Sequence, residues 1–106
     1  RLHFEKGAAA KAVNYLDEAV QLYPGLAEAQ LYLGLATLER GDRERARTAL
    51  TAATRLPPRP IEASYYLGRL LSTETPIEAR VHLQRYLEQA PKGPFAEDAR
   101  LLMRGK

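Results

Sequence analysis

Few side chains in this sequence have the type and spacing that chemistry demands. Of its two histidines, His3 stands near the N-terminus and His82 in the last third of the chain. A metal would want a second ligand one helical turn from His82, and Glu78 is the only candidate at that spacing. The reading the sequence favours for His82 is a half-exposed packing residue. The acidic pairs Asp17-Glu18 and Glu97-Asp98 are adjacent in sequence. Adjacent residues on a helix point apart, so neither pair forms an acid–base dyad, and both read as solvated. No glycine-rich phosphate loop, Gly-x-Ser-x-Gly elbow or nucleotide fingerprint is present. With no cysteine, disulfides, thiolate zinc sites and a cysteine nucleophile are excluded. The sequence predicts no catalytic residue, no metal and no cofactor, and hence no enzyme.

Charge offers one further candidate. Arg40, Arg43, Arg45, Arg47, Arg55 and Arg59 are opposed over the same stretch only by Asp42 and Glu44, an excess of four positive charges. Such a patch could hold nucleic acid or another polyanion. The alternative is a solvated convex face on which Asp42 and Glu44 pair locally. No aromatic residue interleaves with these arginines, as stacking on a single strand requires. The net charge of the chain is only +3. Both facts argue against nucleic acid.

The elements that must position any site follow from length and periodicity. A chain of 106 residues, 45% of them apolar, fits one globular domain and is too apolar for a disordered segment. No apolar run approaches the roughly 18–20 residues of a membrane helix. The opening Arg1-Leu2-His3-Phe4 is neither an initiator methionine nor a signal peptide, so the chain reads as a piece of something longer.

Internal repetition then decides the architecture. At an offset of 34, Gly7 meets Gly41, Ala12 meets Ala46, Leu16 meets Leu50, Ala19 meets Ala53 and Pro24 meets Pro58. Glu28, Ala29, Tyr32 and Leu33-Gly34 meet Glu62, Ala63, Tyr66 and Leu67-Gly68. A third copy follows at 33, Ala46 to Ala79, Leu50 to Leu83 and Pro58 to Pro91, so the missing residue falls in a turn between Gly68 and Ala79. Each copy reads as two helices. Residues 26–40 carry Leu31, Leu35 and Leu38 at helical spacing, with no strand-like alternation. Gly41-Asp42 ends that helix and caps the next, residues 43–56, which stops at Pro57-Pro58. In the following copy Pro60 fits the first turn of a helix over 61–73. Thr75, Pro76 and Glu78 then predict an N-cap, a first-turn proline and a Thr-x-x-Glu capping box. Gly34 and Gly68, with Ala12, Ala46 and Ala79, mark close crossings, and Leu16, Leu50 and Leu83 fill the space one turn on.

These residues resemble the tetratricopeptide repeat family, whose unit is a 34-residue helix–turn–helix. Leu33-Gly34, Ala46, Leu50, Ala53 and Pro58 match its pattern, as do Leu67-Gly68, Ala79, Leu83 and Pro91, and Ala12, Leu16, Ala19 and Pro24. Gln30 and Ser64 stand where the family has its opening aromatic, Thr37 and Leu71 where it has a second, and Tyr86 replaces a small alanine. The resemblance implies an all-α fold, an α-solenoid of antiparallel helix pairs with about two and a half repeats plus a C-terminal helix. Its parts are a truncated first repeat over 1–25, a second over 26–59, a third over 60–92 and a terminal or capping helix over 94–104. Residues 1–6 match only the last turns of a first helix, leaving the Val13 and Leu16 face for preceding repeats or another chain to cover. After Pro91-Lys92-Gly93-Pro94, the stripe Phe95, Ala99, Leu102 predicts a helix that packs on the last repeat.

The resemblance further implies that the first helix of each pair lines a concave groove. The inward set is then Glu28, Leu31, Leu35 and Leu38, followed by Glu62, Tyr65, Arg69 and Ser72. Leu31, Leu35 and Tyr65 would offer an apolar strip and Arg69 a bidentate partner for a carboxylate. The strip either binds a ligand or is covered by neighbouring helices. A carboxylate clamp of the chaperone-binding kind is argued against, because the only asparagine is Asn14 and no lysine lies between Lys11 and Lys92. The expected function is a non-catalytic scaffold that binds a peptide or partner helix in the groove. The alternatives are a structural spacer in a large bacterial envelope or secretion assembly, and polyanion binding on the arginine face. Expected partners are another protein or peptide, further repeats of the parent chain, or a second copy joined through the truncated N-terminal end. A composition rich in Ala, Leu and Arg has the look of a GC-rich bacterial genome, which places the expected home in a bacterial periplasm or cytoplasm by analogy alone.

Overall fold

Leucine and alanine recurring every three or four residues form helices where the periodicity puts them. The computed structural model describes residues 6–104, with side chains from residue 11 onward. Among the described residues lie six helices, α1 (Lys6–Leu22), α2 (Ala27–Glu39), α3 (Arg43–Arg55), α4 (Ile61–Leu71), α5 (Pro76–Gln89) and α6 (Ala96–Met103). No strand occurs among the described residues. None of these helices is long and apolar enough to cross a membrane. Residues 1–5, aligned by the repeat register with the end of a first helix, lie outside the described residues. The chain divides into two compact units, Arg1–Pro60 with α1 to α3 and Ile61–Lys106 with α4 to α6.

In the first unit, α2 and α3 are joined through the corner Arg40-Gly41-Asp42, in which Gly41 and Asp42 each serve twice. Gly41 adopts φ +83°, a left-handed conformation that a side chain disfavours. Its N–H donates to Leu38 O at 2.9 Å while the Asp42 N–H donates to Thr37 O at 2.9 Å, so two orphan carbonyls of α2 are satisfied in a Schellman motif. The Asp42 carboxylate then accepts from the Arg45 N–H at 3.3 Å and caps α3. Asp42→Ala is expected to cost about 1 kcal/mol for the lost cap. Gly41→Ala is expected to cost about 1–2 kcal/mol for the left-handed backbone. Denaturant titration followed by circular dichroism checks both.

The corresponding corner of the second unit is built differently, and the capping box does not form. Thr75 sits at the N-cap of α5 without a side-chain cap bond. Its hydroxyl instead reaches back to Leu71 O at 3.5 Å, beside the Glu74 and Thr75 N–H groups that donate to the same carbonyl at 3.2 and 2.8 Å. With Leu71 O so occupied and Ser72 Oγ donating to Arg69 O at 2.8 Å, α4 ends at Leu71, two residues before the sequence suggests. Pro76 takes the first-turn position of α5 as expected.

The helix pairs close through glycine. A Cβ built on Gly34 would stand 2.6 Å from Leu50 Cγ, and one on Gly68 would stand 2.7 Å from Leu83 Cγ. No real Cβ tolerates such distances, so the side chain of each leucine occupies the volume that its glycine vacates. Ala46, Leu50 and Ala53 are wholly buried, as are Ala79 and Leu83. Burying each leucine contributes about 1.5–3 kcal/mol. Around these crossings, Val13, Leu33, Ala36 and Ala49 form the core of the first unit, with Ala12, Leu16 and Val20 packed at its edge. Thr37, buried in the place of an aromatic, satisfies its hydroxyl on Leu33 O and Gly34 O at 2.8 and 3.0 Å.

Candidate functional site

The two helix faces that the resemblance turns toward a partner differ in what they expose. On α2, within the first unit, Glu28 is exposed, Leu35 and Leu38 are half-buried, and Leu31 is buried. These residues rise along one face of a continuous helix, so a contacting peptide would meet Leu35 and Leu38 with Glu28 at one end. On α4, within the second unit, Glu62 and Arg69 are exposed and Ser72 is half-buried, its hydroxyl tied to its own helix. Tyr65 is a correction. It is 2% exposed and belongs to the core of the second unit, not to an open wall.

What covers Tyr65 is α6 and the segment leading into it. The Phe95 ring stacks on the Tyr65 ring at 4.4 Å with the planes only 6° apart. Tyr66 meets Tyr65 edge-on at 5.1 Å and Tyr86 lies 5.7 Å away, so four rings enclose one another. Polar groups complete the closure. The Tyr65 hydroxyl donates to Asp98 Oδ2 at 2.5 Å, and the Phe95 N–H donates to the Tyr86 hydroxyl at 3.1 Å. A Cβ on Gly93 would stand 2.5 Å from that hydroxyl, so only glycine lets the chain turn this close to Tyr86. The Asp98 carboxylate therefore belongs to the core closure, where the sequence suggests a solvated residue.

Burial pushes the Tyr65 phenol up to about 12; the hydrogen bond to Asp98 adds to the rise and the Arg69 charge opposes it. A raised value means that the fold favours the neutral phenol. Its contribution to stability is whole below the ordinary value of 10 and is lost as the pH climbs toward 12. Spectrophotometric titration is expected to show one tyrosine ionising near 12. Asp98→Ala should bring that ionisation down, because it removes both the hydrogen bond and the negative charge that help hold the proton on.

The arginine face is partly neutralised. Arg45 on α3 forms an ion pair with Asp17 on α1, and this hydrogen bond raises the guanidinium above its ordinary value. Asp17 is thus paired within the first unit, where the sequence suggests a solvated carboxylate. A hollow of about 370 Å³ at the α2–α3 corner is lined by Arg40 and Arg45 together with Asp42, Thr37, Gly41 and Val13. Asp42 and Asp17 offset its two arginines, so the hollow offers a polyanion little net charge. His82 is half-buried on α5, and His3 lies outside the described residues. No group of three or more His, Cys, Asp or Glu side chains able to hold a metal occurs among the described residues.

No family model matches the chain, and no curated protein matches it. The chain can still be compared with itself. A shift of 33 lays Ala63 of α4 on Ala96 of α6, both buried, but it lays Leu67 on Arg100 and Gly68 on Leu101. So α6 keeps the small residue that packs against its own unit and lacks the Leu-Gly pair at which α2 and α4 cross their partners. Arg100 is exposed, its guanidinium donating to Pro91 O at 2.8 Å, and Leu101 is 55% exposed.

Proposed function

We propose that this chain is a non-catalytic protein-interaction scaffold, an α-solenoid segment of the tetratricopeptide kind that holds a peptide or partner helix against the face of α2. The observation that carries this reading is the recurrence of one crossing in two units, Leu50 in the space of Gly34 and Leu83 in the space of Gly68. Two hairpins closed by one device at a 33–34-residue spacing are what a stacked array is made from. The contacting residues are Glu28, Leu35 and Leu38 of the first unit; Leu31 and Tyr65, both buried, are left out of the set.

A spacer role within a larger assembly is the second reading, and the burial of Tyr65 under Phe95 favours it by removing part of the strip. Selection of a peptide library against the immobilised chain separates the two. The scaffold reading expects enriched peptides whose binding falls at least tenfold with Leu35→Asp or Leu38→Asp while the circular dichroism is unchanged. Absence of enrichment, or binding indifferent to both substitutions, leaves the spacer.

A further inference from the structure

The last helix is docked by residues that the repeat does not contain. A shift of 33 lays Phe95 on Glu62 and Asp98 on Tyr65, and a further 34 lays them on Glu28 and Leu31. Tyr86, which meets Phe95 with both its ring and its hydroxyl, stands where α3 has Ala53. With Arg100 and Leu101 in place of the Leu-Gly pair, α6 is not held by the crossing that closes α2 on α3 and α4 on α5. What holds it has the character of a bound peptide, one aromatic anchor with polar contacts on either side. The Phe95 ring stacks on Tyr65 at 4.4 Å and meets Tyr66 and Tyr86 at 5.4 and 6.1 Å. The Asp98 carboxylate accepts from the Tyr65 hydroxyl, and Gly93 passes too close to the Tyr86 hydroxyl for any side chain. We infer that the α4–α5 hairpin carries a recognition site for a helix entered by Gly-x-Phe-x-x-Asp. Residues 93–98 fill it within the chain, and a partner protein bearing the same three residues fills it by displacing α6.

Each residue of that motif answers one feature of the site. The Tyr65 face, within 6° of parallel to Phe95, selects a planar ring over a branched aliphatic side chain. The carboxylate three residues on stands one helical turn from the ring, where the Tyr65 hydroxyl donates to it at 2.5 Å. The exposed Arg69 guanidinium acts on the same phenol, so a carboxylate arriving there meets a hydroxyl donor with a positive charge beside it. Displacement is feasible because α6 has only eight residues, fewer than the roughly 12–15 that hold a helix alone. Pro91, Lys92 and Pro94, which lead into it, are exposed. The tether favours the resident segment, since a short linker holds it at an effective concentration of about 1 mM. A partner therefore prevails by adding contacts beyond the three residues. The site lies wholly in the second unit and uses no residue of the α2 face, so its fate is separate from that of the peptide selection above.

The test supplies the segment as a separate molecule. A fluorescent peptide of residues 92–104 is titrated with the full native chain, with Phe95→Ala and with Asp98→Ala, and binding is followed by anisotropy. The peptide is expected to bind Phe95→Ala about tenfold or more tightly than the native chain, whose own segment keeps the site filled. Binding to Asp98→Ala should fall between the two. On Phe95→Ala the peptide should also return the Tyr65 ionisation towards 12, which binding elsewhere on the chain would not do. Replacing the peptide's phenylalanine by alanine should weaken binding by about tenfold or more, and replacing its aspartate by about fivefold. Replacing the leucine that corresponds to the exposed Leu101 should leave binding within about twofold. If Phe95→Ala does not fold, Asp98→Ala, which retains all four rings, decides by the same measurement. Equal binding to the native chain and the folded variants, or binding indifferent to the peptide's phenylalanine, overturns the inference. So does sedimentation of the native chain as a dimer that Phe95→Ala dissociates, because the occupant would then be the α6 of a second copy.

Discussion

Leu50→Ala is expected to destabilise the chain by about 3–4 kcal/mol, and Gly34→Ala is expected to harm the native sequence yet help this variant. Leu50 is wholly buried, so its truncation loses the transfer energy of the removed carbons and leaves a void against α2. In the native sequence a Cβ at residue 34 meets Leu50 Cγ and Cδ2 at 2.6 and 2.7 Å, atoms too near the backbone to swing aside. Overpacking of that kind costs about 1–3 kcal/mol, against roughly 1 kcal/mol gained by replacing a mid-helix glycine with alanine. The net is destabilising by about 0–2 kcal/mol. Once Leu50 is alanine, both clashing atoms are gone and the nearest remaining neighbour is the Leu50 backbone N at 3.5 Å, an ordinary contact. The propensity gain then stands alone, and the new methyl fills part of the void.

The second crossing gives the contrast. At Gly68 the Ala79 carbonyl oxygen lies 3.2 Å from the built Cβ, and truncating Leu83 does not remove it. Gly68→Ala should therefore rescue Leu83→Ala less than Gly34→Ala rescues Leu50→Ala. Guanidinium titrations of the four chains in each cycle measure both couplings. Additive effects at 34 and 50 would show that the leucine does not occupy the glycine's space.

Residue types that answer a backbone requirement are legible in the sequence. Gly41-Asp42 could be assigned a turn and a cap because a left-handed residue and an N-terminal carboxylate are each the cheapest solution to a local geometric demand. The Gly34–Leu50 crossing was legible because it recurs, and recurrence separates packing from accident. Thr75 departs from its capping box on equally local grounds: a hydroxyl at an N-cap can bond forward to its helix or back to the preceding one, and here Leu71 O takes it. The surroundings of Tyr65 and Asp17 are hidden from the sequence for another reason. Helical periodicity tells which residues share a face, but the residues that cover a face come from elsewhere in the chain. Phe95 lies 30 residues beyond Tyr65, and Arg45 lies 28 beyond Asp17. The apolar stripe at Phe95 announced that α6 would pack on something; nothing in its spacing named Tyr65 as the target.

That dependence makes Phe95 the residue whose loss should reshape the second unit most. Phe95 precedes α6, stacks on Tyr65, touches the edges of Tyr66 and Tyr86, and gives its N–H to the Tyr86 hydroxyl and its carbonyl to the Ala99 N–H. Phe95→Ala keeps the backbone bonds but removes the ring, at a cost of about 2–4 kcal/mol for a half-buried aromatic with stacked and edge contacts. Eight residues are too few to stay helical alone, since isolated helices shorter than about 12–15 residues are marginal in water. The loss should therefore appear locally. In native-state hydrogen exchange, the amides of α6 are expected to lose protection while those of α4 and α5, still closed through Gly68 and Leu83, keep most of theirs. Tyr65, uncovered, should ionise nearer its ordinary value of 10. Leu101→Ala serves as the control: at 55% exposed and outside the cluster around the rings, it is expected to change protection little. Collapse of protection across α4 and α5 together with α6 would mean that the aromatic cluster, and not the glycine crossing, holds the second hairpin closed.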